Sequence, residues 1–229
     1  RDVSFELGGK NAGIVFADAD IDAVMEGLGR AAFLNCGQIC LGTERIYVQR
    51  PRFDEFVERF AERARSMKAG DPADSSTNLG PLISQEHHDK VMGHYKLAIE
   101  EGAEVVCGGG VPNVPAAFGD GFWIEPTLWT GLAEDSRTQK EEIFGPCAHV
   151  APFDDADEVI ALANDTKYGL CTSIWTSDLS TAHTTAAGVD VGITYVNSWF
   201  LRDLRTPFGG SKQSGIGREG SFEGIEEYL

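Results

Sequence analysis

What most constrains the fold of this chain is the return of short apolar runs between stretches of helical periodicity. That is the pattern of an α/β chain with a largely parallel sheet flanked by helices. Residues 12–16 read as a buried strand. After Asp18 and Asp20, either of which can cap, Ile21, Val24, Met25, Leu28, Ala31 and Ala32 recur at three and four and mark a helix with one apolar face. It leads into Asn35, Cys36, Gly37, Gln38, Ile39, Cys40. Ile46, Tyr47 and Val48 follow as a strand. Pro51 is then expected to open a helix, carrying Phe53, Phe56, Val57, Phe60, Ala64 and Met67 on one side and ending near Gly70. A third helix is predicted from an N-cap at Ser84, through Val91, Tyr95, Leu97 and Ile99, to Gly102. Residues 104–107, 123–128, 148–152, 170–175 and 193–196 read as strands. Helices are expected near 156–164 and 179–187, a loop over 108–121, and less regular chain beyond about Ser198.

With 229 residues, 42% of them hydrophobic, the chain can bury roughly 70 to 75% of the surface it exposes when unfolded. A net charge of -17 opposes a sequence-independent grip on nucleic acid, which needs clustered Lys and Arg. No apolar run approaches the roughly 18 to 20 residues of a membrane span, so no membrane partner is expected. Five cysteines, an odd number, fit a reducing and hence cytoplasmic setting better than a disulfide framework. The sequon at Asn164, Asp165 and Thr166 then reads as a helix end. The chain opens on Arg1 and closes on Glu226, Glu227, Tyr228 and Leu229 without a turn or tail, and is expected to be a piece of a longer protein.

Two cysteines four residues apart, Cys36 and Cys40, lack a second pair at metal-ligand spacing, so no metal site is expected. The plain alternative for either thiol is a small buried hydrophobe. Cys40 differs by its context: it follows a Gly-Gln turn at the end of an apolar helix, where backbone amides are freed to face a ligand. Glu6 alone would be a solvated acid at a strand end. Followed by Leu7, Gly8, Gly9 and Lys10, it stands beside glycines that let the backbone come close to a flat ligand. Residues 215–220 spell G-x-G-x-x-G, yet follow no strand pattern of a βαβ unit, and are set aside as a phosphate loop.

Four segments in order, FELGGKNAGIVFADADID, NCGQIC, EEIFGP and PFGGSKQSGIGREG, resemble the aldehyde dehydrogenase superfamily, supported by WIEPTLW and FDDADEVIALANDTKYGL. They extend from Glu6 to Gly220, and the interval of 34 positions from Glu6 to Cys40 is the family's spacing of base and nucleophile. The resemblance implies the catalytic domain of that fold, with the nucleotide-binding domain and an oxyanion-site asparagine lying upstream. It divides the chain into a cysteine-bearing domain over 1–198 and a substrate-channel segment over 199–229. It further implies Cys40 as nucleophile, Glu6 as the base that activates water, and Leu7 and Gly8 near a nicotinamide. Glu142 and Phe144 would hold the ribose and pack beside the ring of NAD, with NADP the other candidate.

The wording NSWFLRDLRTPFGG is similar to the branch acting on 2-hydroxymuconic and 2-aminomuconic semialdehydes. Enzymes for simple aldehydes usually carry apolar residues at the position of Arg202, so a cation there suggests a substrate carboxylate. Arg202 is the first choice for that contact and Arg205 the second, with Phe208 on the channel; the alternative is that one or both pair with Asp203 or a neighbouring acid. A homo-oligomer is expected of the full-length protein, and little turnover of this piece alone. The competing readings are an acylating enzyme that passes the thioester to coenzyme A, a non-catalytic assembly module, and a cysteine hydrolase. The first is opposed by Glu6, and the last lacks a histidine in a recognisable context.

Overall fold

The computed structural model describes residues 3–226 and 229. In chain order the elements are β1 (Phe5–Glu6), β2 (Asn11–Val15), α1 (Ile21–Phe33), β3 (Thr43–Gln49), α2 (Phe53–Arg65), α3 (Gln85–Glu100), β4 (Glu104–Cys107), β5 (Thr127–Thr130), α4 (Arg137–Lys140) and β6 (Cys147–Phe153). There follow α5 (Ala156–Asn164), β7 (Tyr168–Gly169), β8 (Cys171–Trp175), α6 (Leu179–Gly188), β9 (Ile193–Val196), β10 (Ser211–Lys212), β11 (Gly215–Ile216) and α7 (Ser221–Glu226).

Seven strands form one sheet in the order β4-β5-β6-β3-β2-β8-β9, parallel throughout except for the edge pair β4-β5. A parallel sheet is stable when both faces are covered, and adjacent residues here divide between two cores. Val15, Ile46 and Val48 pack on the side of α1, α2 and α3, with Leu28, Phe56, Phe60 and Tyr95. Ile14 and Tyr47 face the other side, with Phe153, Val159 and Ala163 of β6 and α5. The segment after 198 joins the first core through Trp199 and Phe208. Its two-residue strands close small ribbons, β11 on β1 and β10 on β7. No helix among the described residues is long and apolar enough to cross a membrane.

Several boundaries differ from the sequence expectation. Asp20, not Asp18, caps α1, accepting from the amides of Asp22 and Ala23. Pro51 lies in a 3-10 turn, Arg50–Arg52, and α2 starts only at Phe53; it stops at Arg65, five residues before Gly70, where the Ser66 hydroxyl bonds back to the Arg63 carbonyl. Ile99 is exposed at 58%, and Ala98 takes the buried place on α3. The strand expected over 123–128 begins at Thr127, because Pro126 has no N–H to give a ladder and the Trp123 indole turns to the Phe118 carbonyl. A helix does follow the G-x-G-x-x-G run, but the strand at its head pairs antiparallel with β1 and builds no βαβ unit.

Candidate active site

The loops that matter lead into parallel strands: 6–10 into β2, 35–42 into β3 and 141–146 into β6. After α1 the chain reverses through three consecutive left-handed residues, Asn35 (φ 51), Cys36 (φ 56) and Gly37 (φ 71). Gly37 is required there, since a β-carbon would overlap the Gly145 carbonyl, so this turn and the 141–146 loop are packed backbone to backbone. Cys36 points inward, donates to the Gly80 carbonyl at 2.9 Å and is pushed by burial to a pKa of about 11. Cys40 lies four residues on, half-buried, in the next turn.

Each carbonyl from Ile39 to Gly42 is held from below. The Gly42 amide donates to Ile39 O (2.8 Å), the Trp199 indole to Leu41 O (2.9 Å), and the Asn11 side-chain amide to both Cys40 O and Gly42 O (2.8 Å each). Asn11 is itself fixed by accepting from the Cys171 amide at 3.1 Å. Because N–H and C=O of a trans peptide point oppositely, the amides of Cys40 and Leu41 are turned toward the sulfur. Neither has another acceptor among the described residues. Burial raises the Cys40 pKa above the usual thiol value; those two amides oppose the rise, and the charges of Glu6 and Glu142 add to it. Burial thus favours the neutral form of the Cys40 thiol.

Glu6 ends β1, its backbone opposite Gly215, and the Leu7 amide extends the ribbon by donating to Ser214 O at 2.7 Å. Both carboxylate oxygens are shielded from solvent, and no hydrogen bond of ordinary geometry reaches them among the described residues, the Gly210 amide acting only from a distance. An acid left unsatisfied in this way is costly and points to a use. Its pKa is raised, by burial first and the Glu219 charge second; Arg218, the Gly210 amide and Arg202 oppose this. Glu6 lies near enough to Cys40 for its charge to raise the pKa of the thiol.

Beside them lies a backbone ledge. Gly8 has φ +77, and a β-carbon on it would overlap the Glu142 carboxylate, while the Gly9 amide donates to Glu142 Oε1 at 2.9 Å. Burial, chiefly, raises the Glu142 pKa. Leu7 is 55% exposed, an apolar side chain at the lip of the ledge. Phe144, also left-handed at φ 62, is fixed by its carbonyl, which accepts from His87 Nε2 at 2.7 Å, and by its amide, which donates to Glu44 at 2.8 Å. Glu44 also accepts from the Ile143 amide (3.1 Å) and pairs with buried Lys10. The Lys10–Glu44 pair thus holds the Ile143 and Phe144 backbone, Gly9 ties Glu142 to the ledge, and Leu7 is tied to the neighbouring ribbon through Ser214. Sequence reasoning missed Asn11, Lys10, Glu44 and His87. The signal was present in Lys10 and Glu44, which repeat the 34-residue interval of Glu6 and Cys40 four positions later.

A separate cleft of about 280 Å³ runs along β9, lined by Ile193, Tyr195, Val196, Arg202, Thr206 and Phe208 among others. The Arg202 guanidinium stacks over the Phe208 ring, 4.6 Å from its centre, and lies 3.8 Å from Glu219. Cys40 and Glu6 are not part of this lining, but Arg202 acts electrostatically on Glu6. Arg205 is not in the cleft: its side chain is 90% exposed and pairs with Asp203 at 2.5 Å, the alternative the sequence left open.

Compared with known proteins, the chain matches the model of the aldehyde dehydrogenase family over residues 1–229. It is 58% identical to a 2-hydroxymuconic semialdehyde dehydrogenase of Pseudomonas putida, with 100% of this chain and 47% of that protein aligned. Identity is 53% to a 2-aminomuconic 6-semialdehyde dehydrogenase of a Pseudomonas species, over 100% and 46%. Among solved structures, betaine aldehyde dehydrogenase of Staphylococcus aureus in complex with NAD+ superposes with a TM-score of 0.97 at 37% identity, over 100% of this chain and 45% of that one. The chain spans about half the length of the curated relatives it matches.

Proposed function

This chain belongs to the aldehyde dehydrogenase family, and on that premise we propose that it carries the catalytic centre of an NAD-dependent enzyme that oxidises a muconic-type semialdehyde to the acid. The observation that carries the reading is the solvent-shielded carboxylate of Glu6, without a close hydrogen bond, acting on the half-buried thiol of Cys40. A thiol that is neutral at rest must lose its proton as it attacks, and Glu6, made more basic by burial, is the acceptor in this reading. The sulfur adds to the aldehyde carbon and the carbonyl electron pair moves onto oxygen. That oxyanion is met by the backbone amide of Cys40, a donor worth about 3 kcal/mol in the transition state.

Gly8 leaves the ledge flat, Leu7 and Phe144 offer apolar surface, and Glu142 keeps acceptor capacity beyond its bond to Gly9, a set that fits the nicotinamide ribose end of NAD. When bound, NAD supplies the acceptor for the hydride that leaves the thiohemiacetal carbon. Cys40 then holds a thioester. Glu6 first releases to solvent the proton it took from Cys40, then removes a proton from water as the water oxygen adds to the acyl carbon; the C–S bond breaks, the Glu6 proton returns to the sulfur, and the acid departs. Since burial raises the Glu6 pKa, the base is lost as pH falls through a value above the ordinary carboxylate range, and turnover should fall there.

We assign the substrate class from Arg202, a cation that shares the cleft lining with Asp203 and stacks on Phe208, as the group that takes a carboxylate distant from the aldehyde. Arg205, engaged by Asp203, is given no such role. In the full-length enzyme, Arg202→Ala is expected to raise KM for a carboxylate-bearing semialdehyde roughly ten- to a hundredfold, the scale of a lost charged hydrogen bond. KM for a neutral aldehyde of equal length should hardly move. Equal effects on both would remove Arg202 from the substrate site, and a requirement for coenzyme A would remove Glu6 from hydrolysis.

A further inference from the structure

The substrate cleft and the catalytic pair are joined by one side chain that neither role has used. Glu219 is locked to the cleft wall by a reciprocal backbone pair with Phe208, its amide donating to the Phe208 carbonyl at 2.6 Å and its carbonyl accepting from the Phe208 amide at 2.7 Å. Phe208 is the ring on which Arg202 stacks, and the Glu219 carboxylate lies 3.8 Å from the Arg202 guanidinium. Three residues before Glu219, Ile216 closes the ribbon whose other strand ends at Glu6.

We propose that Glu219 is a positioning residue that couples the two ends of the site: it holds Arg202 in the empty cleft, yields it to a substrate carboxylate, and keeps its own negative charge beside Glu6. The geometry suits an exchangeable contact. At 3.8 Å, with both side chains roughly half exposed, Arg202 and Glu219 form a loose ion pair. A substrate carboxylate accepting two guanidinium N–H bonds outcompetes it. The charged groups facing Glu6 are Glu219, Arg218 and Arg202, with the Cys40 thiol across the site. Glu219 is the one that makes Glu6 more basic, and drawing Arg202 away toward substrate removes one of the cations that oppose it. The carboxylate end of the substrate thereby sharpens the base that acts at its aldehyde end.

This inference rests on Arg202 reading a carboxylate, and the test separates the two ideas. In the full-length enzyme with NAD, Glu219→Gln keeps the size of the side chain and removes its charge. KM for a carboxylate-bearing semialdehyde is expected to fall about two- to fivefold, the span of a weak exposed ion pair, with KM for a neutral aldehyde of equal length unchanged. Because a like charge has been removed, the acidic limb of the kcat profile should move to lower pH with both aldehydes, and Glu219→Asp should restore it. In an Arg202→Ala background the KM effect of Glu219→Gln should vanish. If Arg202→Ala discriminates between the aldehydes but Glu219→Gln leaves either the KM ratio or the acidic limb unmoved, the coupling role is overturned and the substrate reading stands. If Arg202→Ala does not discriminate, both fall.

Discussion

At the scale of single residues, the site depends on two groups whose protonation is set by burial. The Cys40 thiol is desolvated and faces two carboxylates, so its pKa lies above the ordinary thiol value despite the amides aimed at it. Alkylation by iodoacetamide should therefore accelerate with pH through an inflection above that of an ordinary thiol, and Glu6→Gln, by removing a like charge, should move that inflection to lower pH. An inflection near neutrality in the unmodified chain would contradict this account of the thiol. Cys40 should still react before the other four, since Cys36, Cys107, Cys147 and Cys171 are buried and have their pKa values raised as well.

At the scale of elements, the reactive turn keeps its shape because polar side chains from neighbouring strands hold it. Asn11, the first residue of β2, ties the Cys40 and Gly42 carbonyls to the Cys171 amide of β8. Asn11→Ala leaves buried backbone groups unsatisfied, at about 1 to 3 kcal/mol. The urea midpoint should drop accordingly and kcat should fall with it; a variant as stable and as active as the parent would show that Asn11 does not hold the turn. The strands and longer helices were legible because their apolar period is strong, as in β2, β9 and α5, and because Ser84 and Gly102 punctuate α3 visibly. The four-residue α4 and the two-residue ribbons were not, being too short for any period and held by distant partners. Cys40 and Glu6 stood out by their glycine context. Asn11, Lys10 and Glu44 did not, because each is a polar residue beside an apolar run whose partner lies some thirty residues away.

At the scale of the molecule, the catalytic loops gather at the amino ends of parallel strands, away from the carboxyl-end crevice where open α/β sheets commonly bind ligands. On the proposed reading the chain offers one end of NAD a ledge formed by Leu7, Gly8, Glu142 and Phe144. Residues 1–229 alone should therefore bind NAD weakly, about millimolar or worse, in an isothermal titration; micromolar affinity would mean that this part suffices for the cofactor. The central claim concerns Cys40 and Glu6 together, and it is tested most directly by the mass of the Cys40 peptide from full-length Glu6→Gln enzyme quenched after one turnover with NAD and semialdehyde. The account predicts reduced NAD that forms more slowly than in the parent but rises to the number of sites, and an acyl group on Cys40 that is slow to hydrolyse. An unmodified Cys40, with acid released as fast as by the parent enzyme, would contradict it.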